Sequence, residues 1–391
     1  MTDTSADTVN TRPAIASFVL LGTIGVLSFI VQPALVQGFV TVLHMSESRA
    51  VDLAGVEMAG VAAATILLAL LGERVSWRLA TAVAIVLAAA GNAWSALSLG
   101  ESTLWAARCL AGFGHGGLIS LSFTFVGLTR RVERNLAIYL VSLLSYGALG
   151  IWVAPAVFAH VGLAPVFAAF AVATLASLGC LRFLPHSSSA RMQPSPRARD
   201  LSMPQQATAL AGVLVYNLAQ GIAWAILFLV GTGAGLGEQP VANSLFASQV
   251  MAVAGALGAV YLAERWRRGA AIVTGIVGGA LCIGLLLGPL PMATYAVAVC
   301  GFNLLWNFVL PFILGAVGDM DKRGRMMSPA IAMQMTGLGL GPILTARLIG
   351  DGDYRAAEWL CVACFAVSLA LLAVPLAAHR RLAGAAARAG T

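Results

Sequence analysis

The sequence predicts an all-α integral membrane protein whose twelve transmembrane helices form two pseudo-symmetric six-helix bundles. Three observations lead there. Of the 391 residues, 59% are hydrophobic and 10% charged, with a mean hydropathy of +0.89; a soluble chain of this length is much less apolar. The apolar residues gather in runs long enough to cross a hydrocarbon core of about 30 Å. Short signatures also repeat at one offset: Glu73-Arg74 returns as Glu264-Arg265, Arg134 as Arg325 and Gly150 as Gly341, each 191 residues on.

Residues 1–13 are polar and read as a cytoplasmic tail. The run 14–42 is longer than the roughly 7–15 residues of a signal-peptide core and has no convincing cleavage site, so it is expected to stay as helix 1. Spans 52–71, 79–99, 103–128, 136–160 and 163–183 complete a first bundle over 14–184. A linker at 185–206, with Ser187 to Ser189, Pro194, Pro196 and Pro204, reads as a flexible connection. Spans 207–232, 241–262, 270–289, 291–317, 326–348 and 357–378 form a second bundle over 207–378, and 379–391 is a second cytoplasmic tail.

Charge supports this count. Of the 23 Lys and Arg, 19 fall on one set of alternate breaks, while only Arg49, Arg347 and Arg355 fall on the other. The positive-inside rule then puts both termini and the linker in the cytoplasm of a multi-pass protein of the plasma (inner) membrane. The net charge of +7 is thereby read as topology and bilayer contact, with no nucleic-acid partner. All six cysteines lie in apolar runs, which implies no disulfide framework.

Within the spans, ionisable residues stand out because each costs several kcal/mol in lipid, roughly 2.5–3.5 on insertion scales. Arg108 sits a turn inside helix 4, on one helical face with Gly112, His115 and Ile119. It reads either as the wall of a polar pathway or as a structural arginine bonding helix-end carbonyls. Glu57, in helix 2, reads as a protonatable carboxylate or as one pairing with Arg49 near the surface. His115 suits proton relay, since imidazole titrates near neutrality, and equally suits a bond to a neighbouring helix. Glu57, Arg108 and His115 form the candidate proton-coupling set.

The second half carries amides and indoles: Tyr216, Asn217, Gln220 and Trp224 in helix 7, and Asn303, Trp306 and Asn307 in helix 10. With Gln32 and Gln334 they are candidate lining for an organic solute, offering stacking and orientable hydrogen bonds; the alternative is amides that glue helices together. Gln249 is a weaker candidate of the same kind, and Asn92 and Trp94 are expected to pack. The basic loops Glu73, Arg74, Arg78 and Glu264, Arg265, Arg268 mark topology, and their paired charges suggest a cytoplasmic gate that breaks as the halves rock.

These features resemble the major facilitator superfamily over nearly the whole chain. Arg108-x-x-x-Gly112-x-Gly114-x-Gly116 is similar to its helix-4 motif in proton-coupled exporters. Gly72-Glu73-Arg74-Val-Ser76-Trp-Arg78 is similar to its helix 2–3 signature, with Glu73 and Ser76 at positions where Asp and Gly are usual. Gly337-Leu-Gly339-Leu-Gly341-Pro342 is similar to an antiporter signature, here on helix 11 instead of helix 5. The resemblance implies a monomeric secondary transporter that moves a small organic solute by alternating access, with proton-coupled export first. Proton-coupled uptake or uniport is the alternative, and a non-transporting membrane sensor a remoter one. No cofactor or metal is expected, and no enzyme: the spans contain no His-Glu-x-x-His, no Gly-x-Ser-x-Gly and no phosphate-binding loop, and the single lysine is Lys322.

Overall fold

The computed structural model describes residues 9–389 apart from 72–74, 98–99, 130, 186–198, 264, 322–325 and 351. Its helices follow the expected order. α1 comprises three segments, Arg12–Gly25, Leu27–Ile30 and Gln32–Leu43. Then come α2 (Glu47–Leu71), α3 (Trp77–Leu97), α4 (Glu101–Gly127), α5 (Val132–Val161) and α6 (Ala164–Ala176, continued by a 3-10 turn over Ser177–Phe183). The second half holds α7 (Met203–Gly233), α8 (Glu238–Leu262), α9 (Arg268–Leu286), α10 (Met292–Gly318), α11 (Met327–Thr345) and α12 (Arg355–Ala389). Among the described residues, ten helices are individually long and apolar enough to cross a membrane. The segmented α1 and the more polar α11 take the two remaining places.

The offset of 191 is built into the helix boundaries. α2 begins and ends 191 residues before α8, α4 does the same relative to α10, and the starts of α1, α3 and α6 precede those of α7, α9 and α12 by the same interval. Helix ends in an apolar chain are set by where polar and turn-forming residues fall, so two halves with aligned ends have kept one pattern of breaks.

Helix 1 departs from its expected continuity. The backbone leaves the helix at Val26 (φ −107°, ψ 11°) and at Val31 (φ −101°, ψ 11°), just before Gln32-Pro33. Proline has no N–H and crowds the preceding turn, so an interior position interrupts the ladder. The carbonyls freed in lipid need donors, and two side chains supply them: the Tyr146 hydroxyl donates to Leu27 O at 2.7 Å and the Trp224 indole to Phe29 O at 3.0 Å. At the other end of the chain, residues 379–389, expected to be tail, continue α12 as helix. α7 starts at Met203 because Ser202 and Gln205 form a capping box there.

Glycines set the close approaches inside each half. A Cβ at Gly112 would run into the Glu57 carbonyl, one at Gly116 into that of Val61, and one at Gly60 into that of Cys109, so α2 and α4 touch backbone to backbone. Gly91 and Gly114 do the same for α3 and α4, and Gly337 and Gly341 for α11 and α7. Without a hydrophobic force between helices in lipid, such packing is what holds a bundle together. The halves meet where α2 packs on α11, α5 on α8, and the third segment of α1 on α7.

Candidate functional site

The α2–α4 seam determines which side chains can meet. Because Gly112 brings the α2 backbone against α4, the short side chain of Glu57 reaches Arg108 from the neighbouring helix. Arg108 Nη2 lies 2.5 Å from Glu57 Oε1, and its Nε donates to Oε2 at 3.2 Å, a two-pronged pair. Nη1 donates to Asn92 Oδ1 at 2.8 Å and Nη2 to Ser28 Oγ at 2.7 Å. The Phe167 ring closes the last side, its centroid 4.7 Å from the guanidinium carbon. Arg108 is 0% exposed.

His115 stands two turns further along α4 with Nδ1 3.5 Å from Glu57 Oε1. Its Nε2 is 3.3 Å from Asn92 Nδ2. Arg108 only donates, so it fixes Asn92 Oδ1 as an acceptor and the Asn92 amide nitrogen as the group facing the ring. An imidazole that accepts there at Nε2 carries its proton on Nδ1, the nitrogen that faces Glu57. The coupling candidates Glu57 of α2 and Arg108 and His115 of α4 thus lie in one buried cluster, completed by Asn92 of α3 and Ser28 of the middle segment of α1.

Two members were missed in sequence. Ser28 gave no signal, and Asn92, expected to pack, instead links Arg108 to His115. The broken α1 is what presents Ser28, since it lies between the two interruptions. Trp94, the other residue expected to pack, is partly exposed. The internal repeat gives this cluster no charged counterpart: 191 residues on from Ser28, Glu57, Asn92, Arg108 and His115 stand Ala219, Ser248, Ile283, Val299 and Trp306.

The expected lining residues divide. Trp224, Trp306 and Phe302 form an aromatic group, with Trp224–Trp306 centroids 6.0 Å apart and Phe302–Trp306 5.8 Å. Asn303 donates to Ser248 at 2.7 Å, and Asn307 to the Asn303 carbonyl at 3.0 Å. Gln32 is buried and Gln334 half-buried. Tyr216 packs on Phe365 of α12, centroids 5.8 Å apart, and Asn217 donates to Val213 O at 2.8 Å. The buried Gln220 Oε1, Asn217 Oδ1, Tyr216 hydroxyl and Gln249 Nε2 have no partner among the described residues. Of the expected gate, Glu73, Arg74 and Glu264 lie outside the described residues. Arg78 donates to the Leu184 and Arg182 carbonyls at 2.8 and 3.2 Å, Arg265 to Tyr261 O at 2.9 Å, and Arg268 to Asp319 at 2.6 Å, each within its own half.

Solved structures with the same arrangement include a bacterial homologue of the human lysosomal transporter Spinster, inward-facing and unoccupied (TM-score 0.68, 13% identity, 97% of this chain and 98% of that one). A variant of the nucleoside transporter NupG matches at TM-score 0.68 (13%, 93% and 99%), and the major facilitator superfamily transporter FucP, in its outward conformation, at 0.66 (14%, 94% and 99%). The chain has the major facilitator fold. No family model matches the sequence, and no curated relative matches it.

In this major facilitator fold the bonds joining the halves gather toward the end remote from the chain termini. Gln37 Nε2 donates to Glu238 at 2.9 Å and Thr232 to Gln37 Oε1 at 3.4 Å. The Ser48 hydroxyl donates to Ala346 O, Gly352 N to Glu47 at 3.4 Å, and Arg347 lies 3.9 Å from Asp52. Gln239 donates to Trp152 O at 3.2 Å across the α5–α8 contact.

Proposed function

We propose that the chain is a secondary active transporter of a small organic solute, working by alternating access between bundles 14–184 and 207–378 and coupled to protons through Glu57, Arg108 and His115, in the export direction first. The observation that carries this reading is the buried Arg108–Glu57 pair with His115 beside it, present in one half only. A structural role alone gives little reason for such a cluster, because a buried ion pair is weak evidence of stability and apolar replacements often do as well. Intramembrane charges of this kind typically mark ion or proton pathways.

The chemistry is an exchange of partners. Arg108 keeps its charge throughout. While Glu57 is ionised the pair is locked, and α2 and α4 are tied to Ser28 in α1. When Glu57 takes a proton, with His115 Nδ1 as a neighbouring relay, the guanidinium loses its counter-charge and α1, α2 and α4 can shift against one another. Trp224, Trp306, Asn303, Asn307, Gln32 and Gln334 would line the solute path, with Tyr216, Asn217 and Gln220 contributing from α7. The unpartnered Gln220 and Gln249 atoms support this, since buried polar groups left unsatisfied cost about 1–3 kcal/mol each. The bonds gathered at the end remote from the termini support a state closed there. Both termini and the basic loops would lie in the cytoplasm of the plasma membrane, with the chain acting as a monomer.

The test is Glu57→Gln, which mimics the protonated carboxyl, in proteoliposomes with an imposed pH gradient and a solute identified by thermal-shift screening. Gradient-driven accumulation should be lost while solute binding persists. Full gradient-driven accumulation by Glu57→Gln would place the coupling group elsewhere, whereas a native chain that equilibrates solute without ever accumulating it would be a uniporter.

A further inference from the structure

A second candidate site lies far from the Arg108 cluster, at the opposite end from the bonds that join the halves. A cavity of about 190 Å³ opens between α9, α10 and α12, lined by Arg268, Gly269, Ala316, Asp319, Leu376, His379 and Arg380. That is several times the roughly 30 Å³ share of one water molecule. The internal repeat supplies a control. The counterparts of Arg268 and Ala316, 191 residues earlier, are Trp77 and Phe125, which pack on each other with ring centroids 5.6 Å apart. The counterpart of Gly269 is Arg78, which turns away to the Leu184 and Arg182 carbonyls. α6 and its 3-10 turn stop at Phe183, whereas α12 runs past the equivalent Val374 and brings His379 and Arg380 to the cavity. The second half has therefore replaced an aromatic plug by a space edged with cations.

We propose that this cavity holds a phosphate group. Arg268 is committed to Asp319 and to the Gly315 carbonyl. Arg380 has no hydrogen-bond or ion-pair partner among the described residues; its guanidinium lies against Gly269, in the space that a side chain at residue 269 would otherwise take. With one carboxylate against two guanidiniums the lining is net cationic before His379 is counted, and the positive end of α9 points the same way. The planar fork of arginine matches phosphate oxygens. Trp266 and Tyr261, both exposed near the end of α8, mark the interfacial depth at which aromatic residues collect. The anion present at that depth in a bilayer is a lipid phosphate, and basic pockets between helices are known receptors for anionic headgroups; a soluble phosphate has the same chemistry.

The experiment is native mass spectrometry with thermal shift on delipidated full-length protein, offered phosphatidylglycerol, phosphatidylcholine or inorganic phosphate. Two variants are compared: Arg380→Gln, at an exposed position, and Ala316→Phe, which restores the plug of the first half. Binding of phosphatidylglycerol or inorganic phosphate by the native chain should fall by roughly tenfold or more in Arg380→Gln, as for loss of one charge-assisted bond. It should also fall in Ala316→Phe if that variant folds. The arm that binds names the source. Equal retention of phosphatidylglycerol and phosphatidylcholine with no effect of Arg380→Gln, or no binding of either anion by the native chain, overturns the proposal.

Discussion

Arg108 is solvated by the protein itself: a carboxylate, an amide oxygen, a hydroxyl and an aromatic face take the place of water around one guanidinium. Removing any one leaves the rest buried with an unmet donor, which costs about 1–3 kcal/mol. Asn92→Leu should therefore lower the melting temperature measurably and also shift the pH dependence of transport, because it removes the link between Arg108 and His115. Trp94→Leu, two residues along the same helix at a partly exposed site, should leave both unchanged. A loss of stability with an unaltered pH profile would make Asn92 a packing residue after all. Glu57, Arg108 and His115 were legible in sequence because charged and titratable groups are conspicuous in apolar helices. Ser28 and Asn92 were not, because small polar residues in such helices usually bond their own preceding turn, as Ser95 does to Gly91 O and Thr81 to Trp77 O.

At the scale of the helix, glycine position and backbone interruption decide which groups can meet. The notched face of α4 was readable from spacing, yet spacing could not say that Gly112 faces α2 and Gly114 faces α3, which depends on how three helices nest. Gly112→Ala would place a methyl group against the Glu57 carbonyl and force α2 away from α4. Overpacking of this kind costs about 1–3 kcal/mol, so the variant should melt lower and lose pH-driven transport together. Gly284→Ala, where nothing lies within 4 Å, should do neither. The break in α1 was hidden although Pro33 was visible, because many prolines are absorbed by a kink; here Tyr146 and Trp224, distant in sequence, hold the freed carbonyls. Tyr146→Phe should cost about 0.5–1.5 kcal/mol, the usual worth of one such bond, read as a lower melting temperature with solute affinity retained.

Across the whole molecule, a repeat at 191 residues that appeared in sequence as a few coincidences is the offset at which most helix boundaries of the two halves match. What the repeat could not show is where the halves touch, since that is set by the conformation and not by the fold. Apart from the Trp224 bond to Phe29 O, the described hydrogen bonds between the halves gather on one side: Gln37 with Glu238 and Thr232, Ser48 with Ala346, Glu47 with Gly352. The bonds there are few, and the exposed pair Arg347–Asp52, at 3.9 Å, contributes on the order of 0–1 kcal/mol. A weak, distributed seam suits a gate that must open repeatedly, because two states of a transporter interconvert only if they differ by a few kcal/mol. The prediction is a covalent version of that seam. Gln37→Cys with Glu238→Cys, whose side chains already meet across the seam, should be bridged by a short reducible thiol-reactive cross-linker, leave the protein folded, and stop solute turnover in proteoliposomes until a reductant is added. Either single variant should turn over normally under both conditions. Unchanged turnover by the fully cross-linked protein would mean that this end never opens and that the halves do not rock about the central site.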